Sequence, residues 1–447
     1  MITFIIYNNL TMKNLSGWGR FPVFAVNETT PSSRSELISL LKEQNTEYIA
    51  RGNGRSYGDS SINQSLTITM TKLNRFIEWN EDSGELVAES GVLMSDVIKT
   101  FLPLGWFPYV TPGTKFVTLG GAIASDVHGK NHHLEGSFGN YVNWIEIIDE
   151  TNQVLRCSKT ENTELFNWTI GGMGLTGIIT QCCIRLKKVE TGWINQRTIV
   201  NNTLRETLDS FDDNYDSLYS VAWIDCLSKG KNFGRSLLFT GEHATLNEVN
   251  RKNIYPRART RMFSLFFDLP SFLLNNFTVA IFNYLYFLKN SKTLNQLVDW
   301  DKYFYPLDSI RNWNRLYGRK GFFQFQCILP IDKSYIGLQE ILRKVQKESS
   351  GSFLAVLKKF GPGNGNLSFP RPGYTLALDF KATYKNISLA RNITDIVKNY
   401  NGAIYLSKDA LMNEEDFASF INNDLKEKLK LISNKYCSSE QSKRINL

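Results

Sequence analysis

The sequence predicts an α+β chain in two domains, and three observations carry that expectation. Short helical and strand patterns alternate up to about residue 190, longer β-rich runs take over from about 193, and three glycine-rich loops each lie beside a short strand pattern. The loops span 51–58, 111–140 and 171–177. At 447 residues the chain exceeds one ordinary hydrophobic core, so two domains are the natural division.

The first domain is read as 1–192. SELISLLKEQ (35–44) has the apolar spacing of an amphipathic helix, and TEYIA (46–50) reads as a strand entering the first glycine loop. Alternating apolar residues predict strands at 66–70 and 85–88. MSDVIKTFLPLG (94–105) is helical with Gly105 as its stop. After the second loop come a strand at 144–148, a turn at 150–152, a strand at 153–157 and a helix at 161–168. That helix enters the third loop, and IITQCCIRLKKV alternates like a strand beyond it. The second domain is read as 193–403. SLYSVAWIDCL (217–227), GRSLLFTGEH (234–243), GFFQFQCILP (321–330) and LALDFKA (376–382) predict its antiparallel sheet, interrupted by an aromatic insertion at 255–300. AIYLSKDA (403–410) predicts a further strand, and the last 35 or so residues read as helical and basic.

Composition narrows the function. The chain is 42% apolar, 21% charged and 13% aromatic, with a net charge of +8. That excess suits an anionic ligand or an anionic membrane surface. No basic block or RNA-binding signature accompanies it, so nucleic acid is not an expected partner. The six cysteines show no C-x-x-C spacing, and Cys182-Cys183 sits in an apolar strand pattern, which fits free thiols in a reducing cytoplasm. The N-terminal MITFIIYNNLTMKN lacks the basic and small-residue parts of a signal peptide. Residues 269–288 carry no charge over a length that a membrane span would need. Pro270, Asn275, Asn276 and Asn283 interrupt it, while Arg257, Arg259, Arg261, Lys289 and Lys292 flank it. An apolar lid or a membrane-surface contact is the better reading.

The most informative segment is TPGTKFVTLGGAIASDVHGKNHHLEGSFGN (111–140), which holds His128, His132 and His133 of the chain's four histidines. Glycines let backbone approach a ligand and turn amides toward phosphate oxygens. Such a segment predicts a phosphorylated cofactor beside a polar reaction centre. Gly172-Met-Gly174-Leu-Thr-Gly177 matches G-x-G-x-x-G, but helix precedes it and strand follows it. A dinucleotide fingerprint needs the opposite order, so a Rossmann site is excluded. Asp126 with the three histidines is a possible ligand set, yet Gly129 and the loop composition deny it a helical face, and H-E-x-x-H is absent. No metal is expected. No G-x-S-x-G supports a hydrolase.

RGNGRSYGDSS (51–61), the 111–140 segment and GGMGLTGII (171–179) resemble the FAD-binding signatures of the vanillyl-alcohol-oxidase superfamily. The run D-V-H-G-K-N-H-H resembles its sugar-oxidising branch, whose members supply the flavoprotein half of an epimerase. Further likeness lies in GWGRFP (17–22), PLDSIRNWNRLYGRKGFFQFQ (306–326), LKKFGPGNGNLSFPRPGY (357–374) and AIYLSKDA, so it spans nearly the whole chain. The resemblance implies a two-domain FAD-binding fold of the PCMH type, with an antiparallel-sheet substrate domain and a C-terminal segment, 404–447, returning to the FAD domain. It implies an FAD oxidoreductase acting on CH–OH groups of a sugar donor, with a free alditol or sugar-lactone oxidase as the alternative and a non-enzymatic membrane or glycan-binding protein behind both.

The resemblance also places residues. Arg51, Gly52, Asn53, Gly54, Arg55, Ser56, Tyr57, Gly58 and Asp59, with Gly113, Thr118, Leu119, Gly120 and Gly121, would surround the FAD pyrophosphate. Ser125, Asp126, Val127, His128, Ile179 and Tyr405 would line the rest of the flavin. Tyr57, His128, Lys130, Gln326, Lys358 and Lys408 would form the catalytic pocket, with Lys408 closest to the chemistry. Many superfamily members tether FAD through a histidine in the first loop; Arg55 stands there, so FAD should be noncovalent. Ala377 replaces a cysteine found in the branch, and the chain is shortened between Phe417 and Lys435. The resemblance implies as partners a lipid-linked or phosphorylated sugar and a separate NAD(P)H-dependent short-chain reductase. The insertion at 255–300 is this chain's own, and its uncharged stretch with basic flanks is expected to touch the inner face of the cell membrane.

Overall fold

A computed structural model describes residues 11–250, 253–259, 263–270, 274–352 and 354–447. Arg261 and the 271–273 part of the uncharged stretch lie outside the described residues, as does most of the N-terminal segment weighed as a signal peptide. The fold is α+β, with three principal sheets. The first pairs Thr11–Ser16, Val23–Thr29, Thr67–Thr69 and Ile49–Arg51. The second orders Phe76–Asn80, Glu85–Glu89, Ile178–Lys188, Val142–Ile148 and Val154–Ser158, all antiparallel, with Trp106–Pro108 added against Ile178–Lys188. The third has eight antiparallel strands: Asn295–Asp299, Trp193–Asn201, Ser236–His243, Tyr219–Ile224, Ala355–Phe360, Gly373–Lys381, Phe322–Pro330 and Ala403–Ile404.

The order around the third glycine loop settles the Rossmann question. Thr163–Thr169 is the helix before it, and Ile178–Lys188 is an antiparallel strand after it. The glycines serve the turn: Gly171, Gly174 and Gly177 all take positive φ, where a Cβ is strained.

Period-two alternation positions the functional face of the large sheet. Phe323, Phe325 and Cys327 point to one side with Leu357, Leu376 and Leu378. There they meet Leu208, Ile341, Leu342, Ile393 and Val397 of the helices Leu204–Asp213, Ile331–Lys347 and Tyr384–Asn399. Their neighbours Gln324, Gln326, Lys358, Thr375 and Ala377 point to the other side, toward the first domain, and line a cavity. A slip of one residue would bury these polar groups among leucines, so the pattern fixes the register.

The C-terminal segment packs on the first loop. Tyr57 N–H donates to Ser407 O at 3.0 Å, Tyr48 N–H to Tyr436 O at 2.8 Å, and Arg444 pairs with Asp59 at 2.6 Å. Two elements differ from expectation. The helix from Met94 stops at Phe101 and tightens to a 3₁₀ turn over Leu102–Leu104, because Pro103 cannot continue it; Gly105 then ends the turn at φ 83°. AIYLSKDA is strand only at Ala403–Ile404, after which Leu406–Lys408 forms a 3₁₀ turn. The turn presents Ser407 O to Tyr57, a tertiary bond that local alternation does not reveal.

Candidate active site

A cavity of about 840 Å³ runs between the two domains. One end is lined by residues 51–57, by Gly113, Thr118, Gly120 and Gly121, and by Ser125, Val127, Ile179 and Tyr405. The middle holds His128, Lys130, Gln326, Lys358 and Lys408. The far end is Val221, Trp223, Phe239, Leu354, Val356 and Tyr286.

The first loop leaves its strand at Arg51 and doubles back at Gly54, whose φ is +61°. Arg51 holds the turn from beneath, donating to Ser16 O at 2.7 Å and Ser61 Oγ at 3.2 Å. Among the described residues, none of the backbone N–H groups of 52–56 has a protein acceptor. A run of unpaired amides facing a cavity is a concave anion site, since buried N–H groups are otherwise satisfied. Gly113, an exposed residue of the cavity lining, adds room: a Cβ built there meets nothing within 4 Å. Arg55 contributes cationic surface, with its guanidinium 4.1 Å from the Trp18 ring centroid and its buried Nε unpartnered. These features fit a long, flat cofactor carrying a pyrophosphate, as FAD does.

Four residues expected at the cofactor stand outside this lining, each for a stated reason. Gly58 packs so tightly that a Cβ would lie 1.9 Å from Asp409 O. Asp59 is buried against Arg444. Leu119 is in the core, with its N–H on Val92 O at 2.9 Å. Asp126, fully buried, ties the second loop together by accepting from Ser137 Oγ at 2.7 Å, Gly139 N at 2.8 Å, Asn364 Nδ2 at 3.1 Å and Ser368 Oγ. Gly120 and Gly121 do line the cavity, but their amides are engaged by Ser90 O and Thr118 Oγ1. They supply close approach, not phosphate donors.

In the middle of the cavity the six residues expected in the catalytic pocket come together. Lys358 Nζ is 3.3 Å from His128 Nδ1, and Gln326 Nε2 is 3.1 Å from His128 Nε2. Lys130 donates to Tyr303 O and lies 4.1 Å from that ring's centroid. Lys408 Nζ is 4.0 Å from the ring centroid of Tyr57. Burial, reinforced by neighbouring lysines, pushes Lys130 and Lys358 each down to about 7; burial brings Lys408 to about 8, partly opposed by the charge of Asp379. Burial likewise holds the His128 imidazole well below its usual value, so it is neutral. Among the described residues, no carboxylate forms an ion pair with any of the three lysines.

His132 and His133 do not join this group. Gly361 N–H donates to His132 Nδ1 at 3.2 Å, and His133 Nε2 donates to Ser217 O at 2.9 Å, so both fix the loop. Among the described residues, no set of three His, Cys, Asp or Glu is placed to hold a metal.

Sequence reasoning missed Gln324, Asp308 and Asp379. Asp308 lines the cavity and accepts from Lys115 N at 2.9 Å and Thr114 Oγ1 at 3.2 Å. Asp379, 1% exposed, accepts from Gln324 Nε2 at 2.6 Å and Tyr317 Oη at 3.3 Å, and burial pushes its carboxyl up to about 7. A signal was present for Gln324: in FFQFQ, two glutamines alternate with phenylalanines, which puts both on one polar face.

Comparison with known proteins agrees with this geometry. A family model described as an FAD binding domain matches residues 24–158. Decaprenylphosphoryl-beta-D-ribose oxidase of Mycolicibacterium smegmatis is 33% identical over 421 residues, 91% of each chain. L-gulonolactone oxidase of Mus musculus is 25% identical over 201 residues, 44% of this chain and 43% of its own. Cytokinin dehydrogenase 2 of Arabidopsis thaliana is 28% identical over 162 residues, 35% and 32% respectively. FAD is the cofactor.

Proposed function

The chain belongs to the FAD-linked oxidase family of decaprenylphosphoryl-beta-D-ribose oxidase, and from that premise we propose that it oxidises a secondary hydroxyl of a polyprenyl-phosphate-linked sugar to a keto-sugar. The observation that carries the reading is the amine cluster of Lys130, Lys358 and Lys408, which opens on the same cavity as the cofactor loops and forms no ion pair with a carboxylate among the described residues, Asp379 acting on Lys408 alone and through its charge. Buried amines without a counterion are costly unless a ligand supplies the negative charge, and a sugar phosphate supplies it. The apolar end at Val221, Trp223, Phe239 and Leu354 suits the start of a lipid chain.

Oxidation of a secondary alcohol removes a hydride from carbon and a proton from oxygen. FAD, when bound, would supply the hydride acceptor, and the hydroxyl proton would leave to water. The chain's own part is to orient the sugar and stabilise charge on oxygen. Lys408, presented by the 3₁₀ turn at Leu406–Lys408, is the residue for the developing alkoxide, in a site where low dielectric strengthens a cation. Lys130 and Lys358 take the phosphate. Gln326 and Lys358 bracket His128 and set its ring. Arg55 offers no imidazole for attachment, which supports noncovalent FAD.

The keto-sugar is a substrate for an NAD(P)H-dependent reductase on a separate chain, which would complete an epimerisation. A cytoplasmic site of action belongs to the same reading; among the described residues no helix is long and apolar enough to cross a membrane. The second reading is a free alditol or sugar-lactone oxidase, supported by the partial match to L-gulonolactone oxidase. Anaerobic flavin absorbance separates them. Bleaching by polyprenyl-phosphoribose and not by free alditols or lactones is expected; the reverse pattern overturns the proposal.

A further inference from the structure

The helix Asn276–Asn290 is amphipathic in the wrong sense for a soluble protein. Phe277, Ile281, Tyr284, Leu285 and Leu288 repeat at helical spacing and are 73%, 44%, 53%, 58% and 38% exposed. Its inner side is held by polar contacts. Buried Asn283 donates to Asp225 Oδ1 at 2.8 Å, and Asn276 Oδ1 accepts from Gly351 N at 3.0 Å. The helix is therefore anchored so that its apolar stripe faces outward. On the segment that precedes it in the chain, Phe263, Phe266 and Phe267 are 69%, 82% and 66% exposed, and Leu265 N–H and Leu269 N–H there bond Arg311 O and Arg315 O. Single exposed apolar residues are ordinary; this many together mark an interaction surface.

We propose that this surface docks on an anionic lipid bilayer. Two further observations select that occupant over a protein partner. The first is charge: residues 269–298 contain no Asp or Glu, Asp268 beside Phe267 is neutralised by Arg20, and Lys289 and Lys292 at the end of the helix and Arg311 beside the phenylalanine segment are exposed. Aromatic and aliphatic side chains with a basic rim match an interface of acyl chains below acidic headgroups. The second is continuity with the cavity: Tyr286 and Asn290 of this helix, with Ile310 and Arg311 of the neighbouring segment, are part of its lining. Docking there brings the cavity to the bilayer, where an amphiphile enters without crossing water. This deepens the proposed function and rests on it for the role of the surface, though not for the binding itself.

The test is sedimentation of FAD-loaded protein with vesicles of phosphatidylcholine alone or mixed with phosphatidylglycerol. Wild type is expected to sediment with the mixed vesicles and to be partly released by salt. The triple variant Phe277→Ser, Ile281→Ser, Leu285→Ser should keep its flavin spectrum and melting temperature yet bind at least about tenfold more weakly. Lys289→Gln with Lys292→Gln should weaken binding and reduce its salt dependence. The inference fails if wild type ignores mixed vesicles, or if the triple variant binds them equally. It also fails if the triple variant abolishes a concentration-dependent dimer in lipid-free solution, which would assign the face to a second copy. Detergent-dispersed polyprenyl-phosphoribose separates the two ideas. Vesicle binding without flavin reduction by that sugar sinks the substrate reading alone, and flavin reduction without vesicle binding sinks the docking surface alone.

Discussion

Lys358 and His128 face each other at 3.3 Å, and the hydrogen bonds around them decide which carries the proton. Thr375 Oγ1 donates to Cys327 O at 2.8 Å, so it accepts from Gln326 Nε2 at 3.1 Å. The same amide nitrogen faces His128 Nε2, which therefore accepts. The ring proton is then on Nδ1 and points at Lys358 Nζ, which meets it with a lone pair. A neutral Lys358 agrees with the burial that brings it down to about 7.

The first prediction follows from that neutrality. An anion arriving at Lys358 should draw a proton onto it, so binding of a prenyl phosphate at pH 8 should take up as much as about one proton. Calorimetry in buffers of different ionisation enthalpy measures this directly. Affinity should weaken as pH rises above about 7, because Lys130 and Lys358 both lose protons there. Lys358→Met should remove the part of the uptake that falls on Lys358, and Lys130→Met the rest; unchanged uptake in the first variant would place that proton elsewhere.

Lys408 gives the second prediction, and Asp379 sharpens it. Lys408→Ala should retain FAD and fold, since its side chain makes no hydrogen bond among the described residues, but slow flavin reduction by about a hundredfold or more. If the ammonium form is the active one, the reduction rate of wild type should fall above about pH 8. Asp379 is the carboxylate whose charge holds the Lys408 proton. Asp379→Asn should move that alkaline limb to lower pH, whereas a purely structural role would lower the rate at every pH equally.

Much of this architecture was legible in the sequence. FFQFQ and LALDF were legible as strands, though the polar face that Gln324 and Asp379 share with Gln326 and Ala377 was not read from their alternation, and the order helix, glycines, strand around Gly172–Gly177 excluded the Rossmann fold. The three loops could be placed because residue type and spacing there already state a chemistry, whereas the lysines were placed by the family resemblance alone. What could not be read were long-range bonds. Asp59 looks like part of the first glycine loop, but its partner Arg444 is at the far end of the chain. Gly120 and Gly121 look like amide donors until Ser90 O and Thr118 Oγ1 occupy them. The outward stripe of Asn276–Asn290 was legible as apolar but not as exposed, because its direction is set by Asn283 reaching Asp225.

The third prediction concerns stability and pH. Lys130 and Lys358 titrate near 7 when folded and Lys408 near 8, against about 10.4 for an unfolded lysine. Between these values the unfolded chain binds more protons than the folded one, so stability rises with pH. Asp379 acts oppositely: its folded value near 7 exceeds an unfolded one near 3.9, so its contribution falls between about pH 4 and 7 and is flat beyond. The melting temperature of substrate-free protein should therefore climb from pH 7 to about 9.5. Lys130→Met with Lys358→Met should flatten that climb, and an unaltered slope in the double variant would exclude these lysines as its source.

The last prediction separates a glycine kept for the cofactor from one kept for the fold. Gly58 faces Asp409 O so closely that a Cβ would come within 1.9 Å of it. Backbone lies on both sides, so relief requires the C-terminal segment to shift, and Gly58→Ala should lower stability by roughly 1–3 kcal/mol with or without FAD. Gly113 is the converse case. Its Cβ would meet no protein atom within 4 Å, and its backbone does not take the left-handed region. Gly113→Val should leave the melting temperature of FAD-free protein near wild type, because nothing in the fold is displaced. If the cofactor passes this part of the lining, the isopropyl group would crowd it, so FAD retention through gel filtration should fall at least about tenfold. Equal FAD retention by Gly113→Val and wild type would show that the cofactor does not pass Gly113, and the cradle would then have to be confined to the first loop.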